Sequence, residues 1–139
     1  MNQPADQSTP YTLVVDGDGV IRMGAVDILQ EAGFRTFEAI DGDKALILLN
    51  EHQRDIVLLF TGLKLPGLRN GFEIAHEVAG RWPHISIVVA SGDIRPEPGE
   101  LSDGARFIPK LFSAEMVRAH LQEILPDGQK PEPLRARSL

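Results

Sequence analysis

Polar side chains that could act on a phosphate follow several short apolar segments of this 139-residue chain. Asp16 and Asp18 come after the first of these segments, Ser91 after the fourth and Lys110 after the fifth. Carboxylate oxygens are ligands that Mg²⁺ prefers, and hydroxyl and ammonium groups contact phosphate oxygens. If the fold brings these four residues together, they predict a site for a divalent cation and a phosphoryl group.

The elements that would position these residues alternate along the chain. Several apolar segments are rich in Val, Ile and Phe and lack strict alternation, which is typical of strands covered on both faces. Apolar residues at helical spacing follow the first, second, third and fifth segments. Between the fourth and fifth, Pro96 and Pro98 disfavour a long helix. The segments predicted as strands are Thr12–Asp16, Arg35–Ile40, Asp55–Thr61, His84–Ala90 and Arg106–Pro109.

This alternation predicts an α/β fold with a five-stranded parallel sheet and helices on both faces. We expect the flavodoxin-like, doubly wound strand order 2-1-3-4-5, with the helix before the last strand short or absent. Ligands of such sheets bind outside the carboxyl ends of the strands. The polar residues singled out above all lie at those ends, and so does Gly62 after the third strand.

The two ends of the chain are expected to be unstructured. Residues 1–10 and 126–139 are polar and contain several prolines, and neither segment carries enough apolar surface to offset the entropy of ordering. The domain is therefore predicted to span residues 11–125.

Composition excludes several classes of function. The chain has no cysteine, so neither a disulfide nor a thiolate metal site can form. Its 14 basic and 20 acidic residues give a net charge of −6, which would repel a nucleic acid. No apolar run approaches the ~20 residues of a membrane helix, and the N-terminus lacks a secretory pattern. We therefore expect a cytoplasmic protein that binds neither nucleic acid nor membrane.

The chain resembles the receiver domains of response regulators from about Thr12 to Leu125. The resemblance is carried by Val14–Asp18, by Leu65–Gly67, by Ser91 at the end of a strand, and by Ala105–Phe112. It implies a stand-alone, CheY-like receiver in two-component, or phosphorelay, signal transduction. It also implies that Ser91 and Lys110 correspond to the family's phosphate-contacting residues, and Phe107 to its switch aromatic.

The sequence departs from the family pattern where phosphorylation takes place. Gly62 stands at the position of the phosphoaccepting Asp, and Gly17 replaces a carboxylate that ligates Mg²⁺. Leu111 follows the lysine where the family usually has Pro, and Phe107 lacks the hydroxyl that Tyr would carry. An acyl phosphate needs a carboxylate nucleophile, which glycine cannot supply. The resemblance therefore implies a pseudo-receiver.

Loss of these acids also affects the cation. Asp16 and Asp18 remain as an acidic cluster, but two of the family's acids are absent, so Mg²⁺ binding is expected to be weak or absent and no other cofactor is expected. Lys110 would lose its partner at position 62. We expect it to pair with Asp16 instead, which further disfavours a cation.

The sequence thus predicts a non-enzymatic signalling protein that acts by binding. A histidine kinase, a phosphotransferase or another signalling protein would be its partner, and a homodimer stays open. The alternative is a small phosphatase, because Leu13–Val20 also resembles the first motif of haloacid-dehalogenase-type enzymes. Asp16 would then be the nucleophile and Asp18 the general acid/base.

Overall fold

The computed structural model describes residues 9–97, 99–101 and 104–136. It contains a five-stranded parallel sheet in the order β2-β1-β3-β4-β5, as the sequence predicts. The strands are β1 (Tyr11–Val15), β2 (Arg35–Ala39), β3 (Ile56–Gly62), β4 (Ser86–Ser91) and β5 (Arg106–Pro109). The helices are α1 (Gly19–Glu31), α2 (Gly42–His52), α3 (Gly71–Arg81), α4 (Ala114–Ile124) and α5 (Glu132–Ala136).

The helices begin where short polar side chains cap them. Asp18, Asp41, Asn70 and Ser113 each accept hydrogen bonds from backbone N–H groups of the first turn of α1, α2, α3 and α4. These bonds satisfy donors that have no partner within the helix.

Two apolar layers sandwich the sheet. One cluster packs α2 and α3 on one face, with Leu49, Ile74 and Val78 at its centre. The other packs α1 and α4 on the opposite face, with Leu29 and Leu121 at its centre. The central strand β3 is buried along its whole length, because helices cover both of its faces. This explains the unbroken apolar run from Ile56 to Phe60.

The chain between β4 and β5 forms turns and bends, and no helix is assigned in the part of residues 92–105 that the structure describes. The prediction of a short or absent helix is thus confirmed. Pro96 interrupts the segment, and Ile94 N near its start donates to the side chain of Ser91 rather than to a helical carbonyl. In the described part of the chain, no helix has the length and apolar character to cross a bilayer.

The expectation of an unstructured C-terminal tail is wrong for residues 126–136. A 3₁₀ turn (Asp127–Gln129) and α5 follow α4, and Leu134 is fully buried in the cluster of α1 and α4. Local composition could not reveal this, because the burial comes from a long-range contact of a single leucine. At the other end, residues 1–8 of the predicted N-terminal arm lie outside the described residues, and Pro10 O accepts a hydrogen bond from Arg35 N.

Candidate functional site

Asp16 lies at the carboxyl end of β1, directly after the strand, and both of its carboxylate oxygens are occupied. Oδ1 accepts a hydrogen bond from Asp18 N at 2.9 Å, and Oδ2 forms an ion pair with Lys110 Nζ at 3.0 Å. The two side chains are 8% and 18% exposed. The predicted pairing of Asp16 with Lys110 is therefore confirmed, and the pair is sheltered enough to be only weakly screened by salt.

Gly62 ends β3 and lies directly against this ion pair. A Cβ atom at position 62 would lie 2.8 Å from Asp16 Oδ2 and 3.3 Å from Lys110 Nζ. The sequence thus correctly placed these three residues together. The ion pair fills the space that a side chain at position 62 would enter, so a larger residue there requires Asp16 or Lys110 to move.

Gly17 is covered by the loop that follows β3. A Cβ atom at position 17 would lie 2.7 Å from Pro66 Cδ, so this position has no room for a side chain unless the Pro66 ring shifts. The same loop is held close to the strand at its far end, where Gly71 N donates to Leu63 O at 2.7 Å. A Cβ atom at Gly71 would collide with Gly62 O.

Asp18 does not join the cluster, although the sequence grouped it with Asp16. Its Oδ1 accepts hydrogen bonds from Val20 N and Ile21 N, at 2.9 and 3.1 Å, and caps α1. Among the described residues, no group of three or more His, Cys, Asp or Glu side chains is placed to hold a metal ion. Of the two predicted acids, Asp16 therefore lies beside Gly62, whereas Asp18 caps α1.

Ser91 and Phe107 lie on adjacent strands near the same sheet edge. Ser91 is buried, and its Oγ accepts a hydrogen bond from Ile94 N at 3.3 Å. Phe107 is partly buried and, with Ser91 and Arg95, lines a small cavity of about 80 Å³. Lys110 N donates to Ser91 O at 3.0 Å, which ties the end of β5 to that of β4. Ser91 thus ends β4 beside the residue that follows β5, while the ammonium group of Lys110 reaches Asp16.

Two basic residues around the site, Arg22 and Lys64, make contacts that were not apparent from the sequence. Arg22 Nη1 donates to Asp16 O at 2.8 Å, and Arg22 Nε pairs with Glu38 at 3.1 Å. Lys64 Nζ pairs with Asp93 Oδ2 at 2.9 Å and joins the loops after β3 and β4. Hydrogen bonding and positive charge from Lys64 lower the pKa of Asp93 below its ordinary value. Nothing local in the sequence indicates either pair.

An apolar groove adjoins the ion pair on the side of α1. It has a volume of about 200 Å³ and lies between Val20, Gly24 and Ile28 on α1 and the Leu111–Phe112 segment after β5. Val20 is 81% exposed and Leu111 88%. Gly24 leaves open space where a side chain would stand. The peptide bond between Lys110 and Leu111 at the rim of the groove is cis.

Residues 12–122 match the family model of the response regulator receiver domain. The chain belongs to this family, whose members are signalling modules of two-component systems. The resemblance that the sequence suggested is thereby confirmed, and the sheet order and helices agree with it.

The chain is also similar in sequence to two curated signalling proteins. The chain is 28% identical over 118 residues to sporulation initiation phosphotransferase F of Bacillus subtilis, covering 82% of this chain and 92% of that protein. It is 27% identical over 118 residues to the sensor kinase CckA of Brucella abortus, covering 81% of this chain and 12% of the kinase. The chain therefore corresponds to only a small part of that kinase.

A solved structure has a similar fold. The response regulator receiver protein of Sinorhizobium medicae superposes with a TM-score of 0.79 at 19% identity. The comparison covers 86% of this chain and 97% of the other. At this identity the likeness concerns the fold alone.

Proposed function

We propose that this receiver domain takes part in phosphorelay signalling without accepting a phosphoryl group at the usual position, and that it acts by binding a partner protein. The ion pair between Asp16 and Lys110 carries the proposal. It occupies the space beside Gly62 where a phosphoaccepting side chain would stand, and it neutralises the acid that would bind a cation.

The chemistry of the site supports this proposal. Phosphorylation of a carboxylate requires a nucleophilic oxygen, an open route for the phosphoryl group, and positive charge to stabilise the transferring oxygens. Position 62 offers no nucleophile. Neither carboxylate oxygen of Asp16 is free to attack, because one accepts a hydrogen bond from Asp18 N and the other pairs with Lys110. No observation favours the phosphatase alternative, because Asp18 is used as a helix cap.

The apolar groove beside α1 supports binding as the mode of action. Exposed apolar side chains that line one concave surface are typical of protein interaction sites. Lys110, the charged residue that lines the groove, is paired with Asp16, and the other lining residues are apolar or glycine. A two-state domain without a covalent trigger changes state only through a partner that binds the two states unequally. We infer that a histidine kinase or phosphotransferase is such a partner.

Incubation with Mg²⁺ and acetyl phosphate, followed by intact-mass measurement, tests the loss of the acceptor. The native chain is expected to show no added phosphate. An adduct that hydroxylamine removes would identify an acyl phosphate and overturn the proposal. Asp16→Asn and Asp18→Asn variants would then identify the acceptor.

Titration against purified histidine-kinase dimerisation domains and histidine-phosphotransfer domains from the same organism tests the binding role. At least one is expected to bind the native protein and to bind Leu111→Asp at least ten-fold more weakly. The matched control is Leu68→Asp, because Leu68 is 98% exposed and lies outside the groove. Equal affinity of all three proteins would contradict a role for the groove.

A further inference from the structure

The segment after α4 is an ordered structure that lies beyond the residues matching the family model. The match ends at residue 122, whereas the described chain continues through the 3₁₀ turn Asp127–Gln129 and α5 to residue 136. Within this segment Leu134 is fully buried, in the cluster that also contains Leu29 of α1 and Leu121 of α4. The segment therefore packs between α1 and α4, and we call the apolar site that Leu134 fills its seat.

Besides Leu134, the buried Pro131 and side-chain hydrogen bonds hold the segment in this seat, one of them from Gln129 Nε2 to His84 O at 3.5 Å. Pro131 and Pro133 pack on Gly33, where a Cβ atom would lie 2.6 Å from Pro131 Cβ and 2.8 Å from Pro133 Cδ. Gln122 Nε2 of α4 donates to Leu134 O at 3.1 Å. The ion pair between Lys130 and Asp127 lies within the segment, and the Lys130 side chain is only 12% exposed.

Large apolar side chains contribute little to this attachment for the length of chain that it orders. Leu134 is the one large, fully buried side chain in the described part of the segment, while some ten residues must lose backbone freedom. Segments with few buried apolar contacts open locally far below the free energy of global unfolding. The segment is thus expected to leave its seat while the sheet and its helices stay folded.

The seat and the open groove lie along the same helix. Val20, Gly24 and Ile28 line the groove on α1, and Ile28 also packs against the cluster that holds Leu134. Leu111 and Phe112 form the opposite wall of the groove, and Phe112 also packs against the cluster that holds Leu134. Departure of the segment would therefore extend the apolar face of α1 from the groove to the Gly33 turn.

We propose that residues 126–136 form a reversible latch: an intramolecular ligand that fills a leucine-binding seat between α1 and α4 and can be displaced from it. A partner that docks along α1 would insert an apolar side chain into the vacated seat, and latch closure and partner binding would compete. The competition rests on the proposed function, whereas the latch itself does not.

A labelled synthetic peptide with the sequence of residues 126–136 tests the latch in the full-length protein. Fluorescence anisotropy measures its binding to the native protein and to a Leu134→Ser variant, in which the resident side chain no longer fills the seat. The variant is expected to bind the peptide at least ten-fold more tightly than the native protein. A peptide carrying the same Leu134→Ser change is expected to bind neither protein, and Leu68→Ser is the matched protein control.

Two results would overturn the latch. One is equal peptide binding by the native protein and the variant. The other is no binding by a variant whose circular dichroism and cooperative urea unfolding show that it is folded. Should Leu134→Ser fail to fold, Gln122→Ala removes the hydrogen bond to Leu134 O and leaves the leucine in place. Amide hydrogen exchange of residues 127–136 is then expected to accelerate several-fold with β3 unchanged, and unchanged exchange in the segment would count against the latch.

The peptide assay separates the latch from the proposed function. Leu111→Asp changes the open groove and leaves the seat of Leu134 intact, so it is expected to weaken partner binding without altering peptide binding. Loss of partner binding alone would leave the latch standing, and loss of peptide binding alone would leave the docking proposal standing.

Discussion

A lysine and an aspartate that face each other next to Gly62 define the chemistry of this domain. Each is largely removed from water, and each compensates the charge of the other at 3.0 Å. Burial of a charge is costly unless a partner and hydrogen bonds accompany it. The pair is therefore expected to matter more to the folded state than the exposed ion pairs of this protein, such as Lys64 with Asp93.

Removal of Lys110 should reveal how much the ion pair contributes to the stability of the fold. Lys110→Met keeps the length of the side chain and leaves the carboxylate of Asp16 without its cation. We expect the free energy of unfolding in urea to fall by about 1–3 kcal/mol, the range for a buried polar group left without its partner, since both side chains keep some contact with water. In an Asp16→Asn background, Lys110→Met should lower the free energy of unfolding by a clearly smaller amount. Equal losses in both backgrounds would mean that the pair does not stabilise the fold.

The exposed ion pair of Lys64 and Asp93 predicts an effect of pH on stability. The hydrogen bond and charge of Lys64 lower the pKa of Asp93, so the stabilisation is present above the ordinary pKa of the carboxyl and is lost as pH falls through the lowered value. In Lys64→Gln the NMR titration midpoint of the Asp93 carboxyl carbon should move upward. A midpoint that stays in place would show that another group sets it. Because the pair is exposed, the shift should diminish in high salt.

At the scale of elements, the glycines of the helices differ in what surrounds them. A Cβ atom at Gly24 in α1 or Gly80 in α3 would meet nothing within 4 Å. At Gly71, the first residue of α3, it would collide with Gly62 O. The first two positions therefore reflect no packing requirement of the isolated domain, whereas the third allows α3 to approach the end of β3.

Alanine substitutions should separate these cases. Gly80→Ala and Gly24→Ala are each expected to raise the free energy of unfolding by about 0.5–1 kcal/mol, because alanine loses less backbone entropy in a helix interior. Gly71→Ala should destabilise, since Gly62 O would have to move. Thermal unfolding of the three variants measures the differences. Destabilisation by Gly24→Ala would show that α1 makes a close contact at that position.

Much of this architecture could be predicted from the sequence, because apolar periodicity, proline and capping residues are local signals. All five strands and the four helices around the sheet fall within a few residues of the prediction. The proximity of Asp16, Gly62 and Lys110 followed from topology, since parallel strands end at one edge. The cap at Asp18 was missed because the sequence does not distinguish a helix-capping aspartate from one that faces a site.

For the whole molecule, stability is expected to be uneven. The strands at the centre of the sheet are buried on both faces, whereas the chain after β4 forms only turns and bends in its described part. The amides of β3 should therefore exchange with a free energy close to that of global unfolding, and those of residues 92–97 should exchange near the rate of an unfolded chain. Hydrogen exchange measured by mass spectrometry tests this contrast. Comparable protection of both segments would indicate that the loop is held by contacts beyond those described.

The ring of Pro66 over Gly17 has a consequence for how easily phosphate chemistry could be rebuilt. An acid introduced at position 17 alone would press against that ring, and one introduced at position 62 alone would push into the partners of an existing ion pair. Each substitution alone therefore requires a neighbouring side chain to shift. Under the proposed function, building a phosphorylation site here would thus involve adjustments at two strand ends and in the loop above them, rather than at a single residue.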